Sequence, residues 1–253
     1  NVDDTNNIDE SSVKAQLKWL ISSDLTLDVV AHYTDVDNGY NAFSIDNDRD
    51  IDADDPGHDR QETKAASATL EWTGHDKFDF VATTSYEQSD IEYGFDWDWS
   101  NFASSGVRGG ENNERERRSK SLDLRLVSKL GHEIFGNSSW VVGAYASTRD
   151  VQLDYSDSWE DTGGGPWLST FSNNFETKRK AVYGQLSSEL SEHFTLNSGL
   201  RFERYHNEYD DSVGVQSTQK DNLWGGKLSL DYTGFDDTLI YAAISRGYKI
   251  GGV

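Results

Sequence analysis

Apolar and polar residues alternate along most of this chain with a period of two, the period of a strand that turns its two faces to different surroundings. Ten such runs are predicted as strands, at 11–21, 25–35, 61–72, 77–94, 115–130, 139–155, 176–190, 194–206, 220–232 and 238–249. In the first, Val13, Ala15, Leu17, Trp19 and Ile21 share one face and Lys14, Gln16 and Lys18 the other. The second sets Leu25, Leu27, Val29, Ala31 and Tyr33 against Thr26, Asp28, His32 and Thr34, and the fifth sets Leu122, Leu124 and Leu126 against Ser121, Asp123 and Arg125. In the eighth, Phe194, Leu196, Leu200 and Phe202 oppose Thr195, Asn197, Arg201 and Glu203. A soluble sandwich with its apolar faces packed together shows the same alternation, so periodicity alone leaves two architectures open.

The connections separate them. Short ones (22–24, 73–76, 131–138, 191–193, 233–237) alternate strictly with long ones (36–60, 95–114, 156–175, 207–219). In an up-and-down meander this rhythm sends every tight turn to one rim and every long polar loop to the other, as in outer-membrane barrels with short periplasmic turns and long extracellular loops. Trp19, Trp72, Phe78, Trp140, Phe194, Tyr232 and Tyr241 all lie within a few residues of a short turn, the distribution of an interfacial aromatic girdle. The predicted fold is therefore all-β, an antiparallel up-and-down transmembrane β-barrel wall.

Composition agrees. The chain has 253 residues, 35% of them apolar and 12% aromatic, with 22 Gly and only 2 Pro. Its mean hydropathy of −0.74 leaves too little grease for an ordinary soluble core. A barrel needs none, because its strands meet lipid only at every second residue. No run approaches the roughly 18 apolar residues of a membrane-spanning helix. Forty-five acidic against 23 basic residues give a net charge of −22, which repels nucleic acid, since binding there works by neutralising phosphates with Lys and Arg. Cysteine is absent, so no disulfide framework or thiolate metal site exists. The chain begins without Met or a leader and holds no Met anywhere, so it is read as an internal piece, 1–253 being a partial barrel domain incomplete at both ends.

From residue 176 onward the text becomes specific: AVYGQLSSELSEHFTLNSGLRFERY at 181–205, WGGKLSLDY at 224–232 and TLIYAAISRGYKIGGV at 238–253. This resembles the barrel of TonB-dependent receptors, on Gly199-Leu200-Arg201-Phe202 and on Ser245-Arg246-Gly247-Tyr248-Lys249. Ile250 stands where that family usually has Pro, and residues 1–175 match in style rather than in words. The resemblance implies a barrel of about 22 strands with a plug domain in its lumen, of which this segment supplies somewhat under half the wall. It implies outer-membrane lipid and lipopolysaccharide around the wall, and an inner-membrane TonB complex acting through the plug, which is absent here. It also implies a small-molecule substrate, foremost a ferric siderophore. A passive porin-like or structural barrel is the alternative. Ten strands alone leave two unpaired edges in lipid, so the piece is not expected to insert as a native barrel by itself.

Within the long connections, Trp97, Trp99 and Phe102 (with Phe95), then Trp159 and Trp167 (with Phe171), are the candidate substrate contacts, flat rings being suited to aromatic chelators or sugars. Packing of loop against loop is the competing use of such rings. Arg115 and Arg117 share the parity of Ser121, Asp123 and Arg125 and are expected to face the lumen, where they would attract an anionic chelate, while Arg118 faces the headgroups. A single β-bulge between 115 and 121 would reverse that assignment. Asp46, Asp48, Asp50, Asp52, Asp54 and Asp55 invite a calcium reading, yet Ile51 replaces the Gly and Gly57 the bidentate Glu of an EF-hand loop, so a solvated acidic loop is expected. Such loops could also reach lipopolysaccharide phosphates through divalent cations. The six His at 32, 58, 75, 132, 193 and 206 are scattered, and no triad, zinc motif or phosphate loop is present, so neither an enzyme nor a cofactor is expected.

Overall fold

The computed structural model describes residues 6–40, 43–47, 50–55 and 57–250. Ten strands follow one another: β1 Glu10–Leu20, β2 Leu25–Tyr40, β3 Gly57–Trp72, β4 Phe78–Asp96, β5 Val107–Ser128, β6 Ser138–Asp161, β7 Trp167–Ser191, β8 Phe194–Asp211, β9 Gln216–Phe235 and β10 Thr238–Arg246. A single helical turn, α1 (Phe102–Ser105), interrupts the connection between β4 and β5. Each strand pairs antiparallel with its chain neighbour, giving one ten-stranded sheet in sequential order. All ten predicted strands are present, and the sheet is open.

Register explains why the alternation matters. Cα partners share a face of the sheet. One row reads Trp19, Leu27, Leu70, Ala82, Leu124, Ala144, Val182, Phe202 and Trp224 across nine strands. The next row, on the opposite face, reads Lys18, Asp28, Thr69, Thr83, Asp123, Tyr145, Ala181, Glu203 and Leu223.

Burial then decides between the two architectures. On the apolar face Trp19, Val182 and Phe202 remain more than half exposed, and Leu124's neighbours in the band are covered by no second layer. On the polar face Glu203 and Asn207 are buried, with only 5% and 1% of their surface exposed, together with Ser89, Thr177, Ala181, Tyr205 and Ser229. The sheet is concave toward its polar side and bare on its apolar side, the reverse of a sandwich and the arrangement of a membrane barrel.

The polar face satisfies itself by hydrogen bonds along and across its strands. Tyr183 donates to Asp123 at 3.0 and 2.9 Å, and Arg201 donates to Glu203 at 2.6 and 3.1 Å. Arg201 also donates to the Tyr248 hydroxyl at 3.2 Å, and that hydroxyl donates to Glu203 at 3.1 Å. The two receptor-like motifs of the sequence, around 199–202 and 245–249, are thus one contact in space. Gly225 is what makes room: a Cβ there would meet the Tyr248 ring at 3.1 Å. Gly251, Gly252 and Val253 lie outside the described residues.

Two expectations are corrected. The connections at 156–175 and 207–219 are not long loops, because β6 and β7 run on to Asp161 and from Trp167, and β8 and β9 close over 212–215. The asymmetry of the two rims survives as strand overhang instead. At about 3.3 Å per residue, the 24 residues of β6 and 25 of β7 extend far beyond the roughly 9–11 that cross a bilayer. The excess stands up as a polar wall beyond the apolar band. Tyr241 also leaves the girdle. Trp19, Trp72, Phe78, Trp140, Phe194 and Tyr232 have apolar-face parity, but a register shift between Thr238 and Ile240 pairs Tyr241 with Asp231, on the polar face.

Candidate substrate-binding face

The overhanging parts of β4 to β7 carry the candidate residues, and their faces are fixed by unbroken register. No shift interrupts the pairing of β5 with β4 or β6 from Val107 to Ser128, so the bulge that would have reversed Arg115 and Arg117 is absent. Arg115 pairs with Ile91 and Leu153, Arg117 with Ser89 and Val151, all on the concave face. Neither guanidinium has a carboxylate partner among the described residues, and the Arg117 Nε is buried without a hydrogen-bond acceptor. Arg149, the Cα partner of Ser119, adds a third cation to this face, its Nε donating to the Ser119 hydroxyl at 3.3 Å. Arg118 has the opposite parity and pairs with Glu116.

Most acids of these hairpins point the other way, while Glu87, Glu111 and Asp157 stay on the concave face. Asp35, Asp37, Glu62, Asp90, Glu92, Glu114, Glu116 and Asp154 line a shelf of about 660 Å³ on the convex face, with Arg60 held between Asp37 at 2.7 Å and Glu92 at 3.4 Å. A strongly acidic chain therefore presents a cationic lane to the inside of the curve. Because successive side chains alternate, each added residue pair lets one face gain acid and the other arginine.

Farther out along the same face lies an aromatic strip. Trp97 and Trp159 stack with centroids 4.9 Å apart and planes 14° apart, and the Trp97 Nε1 donates to Asp157 at 3.1 Å. Gly109, which pairs with Trp159, lies beneath the Trp97 ring, and a Cβ there would come within 2.4 Å of it. Glycine is thus required for the stack. Trp167 is the Cα partner of Trp159 and extends the strip, 55% exposed. Between this strip and the arginines, Tyr93, Asn113, Tyr155 and Phe171 share the face. Tyr40 packs on Tyr93 at 5.0 Å, and Tyr155 donates to Glu111 at 3.4 Å. Burial, then the nearby carboxylates, raise the Tyr155 hydroxyl pKa; burial and the Tyr40 hydroxyl do the same for Tyr93. Both remain neutral donors. Trp159, Trp167 and Phe171 are strand residues, not loop residues as expected, and Tyr40, Tyr93 and Tyr155 were not anticipated at all.

Trp99 and Phe102 belong to a separate cluster. Trp99 takes a left-handed backbone (φ 56°) and stacks on Phe43 at 4.9 Å. Its backbone N–H donates to Asp96 at 2.8 Å, and those of Asp98, Asp54 and Asp55 converge on the same carboxylate at 3.1, 3.1 and 3.4 Å. Burial pushes the Asp96 carboxyl up, against the pull of these N–H groups. Phe102 opens α1, its N–H donating to Asp54 at 2.9 Å, and Ser104 donates to Asp52 at 3.1 Å. Arg108 clasps Asp55 through Nε at 2.9 Å and a terminal nitrogen at 2.5 Å, which raises the already high pKa of the guanidinium. The acidic segment is thus spent on pinning one connection to the other. Among the described residues no three metal-binding side chains converge, and Asp48 lies outside those residues.

An open, singly layered, concave-polar sheet with this overhang defines a wall segment of an outer-membrane barrel. The model of the TonB-dependent receptor-like β-barrel family matches residues 13–252, and the chain belongs to that family, one of outer-membrane receptors rather than enzymes. No curated protein matches the sequence significantly. Among solved structures the chain resembles the ferric yersiniabactin uptake receptor FyuA from Yersinia pestis, at 17% identity and a TM-score of 0.72 over 92% of this chain and 37% of that one. It also resembles the siderophore receptor PiuA from Acinetobacter baumannii (13%, 0.70, 95% and 42%) and the ferric-catecholate import receptor Fiu from E. coli (13%, 0.69, 93% and 43%). The chain thus spans well under half the length of these receptors, and the likeness is one of fold.

Proposed function

We propose that this chain forms part of the wall of an energised outer-membrane importer whose substrate is a small anionic chelate, foremost a ferric siderophore. The observation that carries the reading is the pair Arg115 and Arg117, unmatched by acid, on the same concave face as the Tyr93–Tyr155–Phe171 row and, farther out, the Trp97–Trp159–Trp167 strip. Aromatic faces supply contact area to a flat chelator, and unpaired guanidinium groups supply charge and bidentate hydrogen bonds to its carboxylates, catecholates or hydroxamates. The relatives above, named for ferric siderophore uptake, fit that chemistry. In this reading the overhanging hairpins are extracellular and the short turns periplasmic. The remaining strands and a plug come from the rest of a longer protein, and TonB acts on that plug to release the substrate inward.

The test uses the full-length receptor expressed in an iron-limited Gram-negative host, with and without a functional TonB complex, and follows accumulation of labelled ferric chelates of several classes. Uptake of at least one anionic chelate is expected only when receptor and TonB are both present. Equal uptake without TonB would identify a passive channel and sink the proposal.

A further inference from the structure

The apolar face holds a feature that substrate capture does not use. In the row Val142, Gly184, Leu200, Gly226, two positions have no side chain, and Ser198 sits beside them. The result is a recess of about 520 Å³ in the lipid-facing wall of β6 to β8, bounded by Trp140, Val142, Val182, Leu186, Leu200 and Phe202. It begins near Ile134, in the turn between β5 and β6, and climbs to the level of Val182 and Phe202. Its floor is open: a Cβ on Gly184 would meet only the Val141 carbonyl, at 3.6 Å.

At its upper end stands a charge anomaly. One outward step beyond the Val182–Phe202 pair, Lys180 and Arg204 are Cα partners on the same face, and both are exposed. Like charges directly opposite across two strands repel. Several cations of this face are answered by acid two residues along the strand, Lys64 by Glu62, Arg118 by Glu116 and Lys178 by Glu176, and two by an aromatic ring, Lys120 by Tyr86 and Arg246 by Trp224. Lys180 and Arg204 have no such partner among the described residues. Their outward neighbours Ala146, Thr148, Lys178, His206, Lys220 and Asn222 include no acid. Two facing cations at the edge of an apolar band, directly above an apolar recess, match the two halves of an anionic amphiphile.

We propose that this face binds a single phosphorylated lipid, its phosphate held between Lys180 and Arg204 and one acyl chain lying in the recess over Gly184. The phosphate replaces the missing carboxylate, and the chain fills space that straight bulk lipid would leave poorly packed. The site rests on family membership and on the sheet's own geometry, not on what the receptor transports.

Native mass spectrometry of the full-length receptor, titrated in detergent with diphosphoryl lipid A, tests it. Wild-type protein is expected to retain one lipid adduct at protein-to-lipid ratios where K180Q/R204Q retains at least fivefold less. Gly184→Leu, with both cations intact, should lose at least threefold by filling the recess. Lys120→Gln, a cation of the same face on β5, should bind like wild type, and heat-modifiable gel mobility should confirm that every variant is folded. Wild-type occupancy in the double variant overturns the phosphate seat, and wild-type occupancy in Gly184→Leu overturns the acyl seat. A loss in Lys120→Gln equal to that of the double variant would show general surface charge and overturn the site.

Discussion

Replacing Arg115 and Arg117 together by alanine in the full-length receptor is expected to weaken binding of its anionic substrate by about a hundredfold. Hydrogen bonds to charged groups contribute about 1.5–3 kcal/mol each. Two of them, partly redundant, amount to about 3 kcal/mol, or two decades in Kd. Arg118→Ala is the matched control: one residue away, it has the opposite parity and already pairs with Glu116, so its effect should stay within about twofold. Equilibrium binding of a radiolabelled chelate to receptor in detergent reads both. Equal losses in the two variants would mean that overall charge, not the inner face, attracts the substrate.

The second large effect concerns stability. Leu124 lies at the middle of the apolar part of β5, in a row that is apolar across nine strands. Leu124→Arg is expected to cost about 2–4 kcal/mol, as for arginine facing lipid at the midplane. Ser121→Arg, on the polar face of the same strand beside Asp123 and Arg125, is expected to cost less than about 1 kcal/mol. The folded, heat-modifiable fraction of full-length receptor at graded urea in lipid vesicles separates the two. A larger loss at 121 than at 124 would invert the assignment of the faces.

The strands were legible because a bilayer imposes a contrast between the two faces that the sequence must encode at every second residue. Val13 to Trp19, Leu122 to Leu126 and Phe194 to Phe202 show it without exception among their large side chains. Beyond the band both faces meet water or ligand, the contrast disappears, and continuous strands such as β6 through Trp159 and β7 from Trp167 look like loops. That is also why Tyr40, Tyr93 and Tyr155 went unnoticed: an aromatic at polar parity carries no signal until its row is known. The inward orientation of Arg115 and Arg117 was readable from parity alone, since no bulge intervenes. Their unpaired state, and the separation of Trp99 and Phe102 from the Trp97 strip, depend on register across several strands and on the Asp96 anchor, which no local pattern specifies.

The most direct test of the concave face as the substrate's side uses two adjacent residues of β5. Asn113 shares a face with Tyr93 and Tyr155, and Glu114 points to the acidic shelf. This chain has no cysteine, so Asn113→Cys and Glu114→Cys each introduce one thiol into it. After labelling with a bulky polyethylene glycol maleimide, the full-length receptor should lose chelate binding at 113 and keep it at 114. Block at 114 with binding retained at 113 would contradict the assignment of the concave face as the route of the substrate.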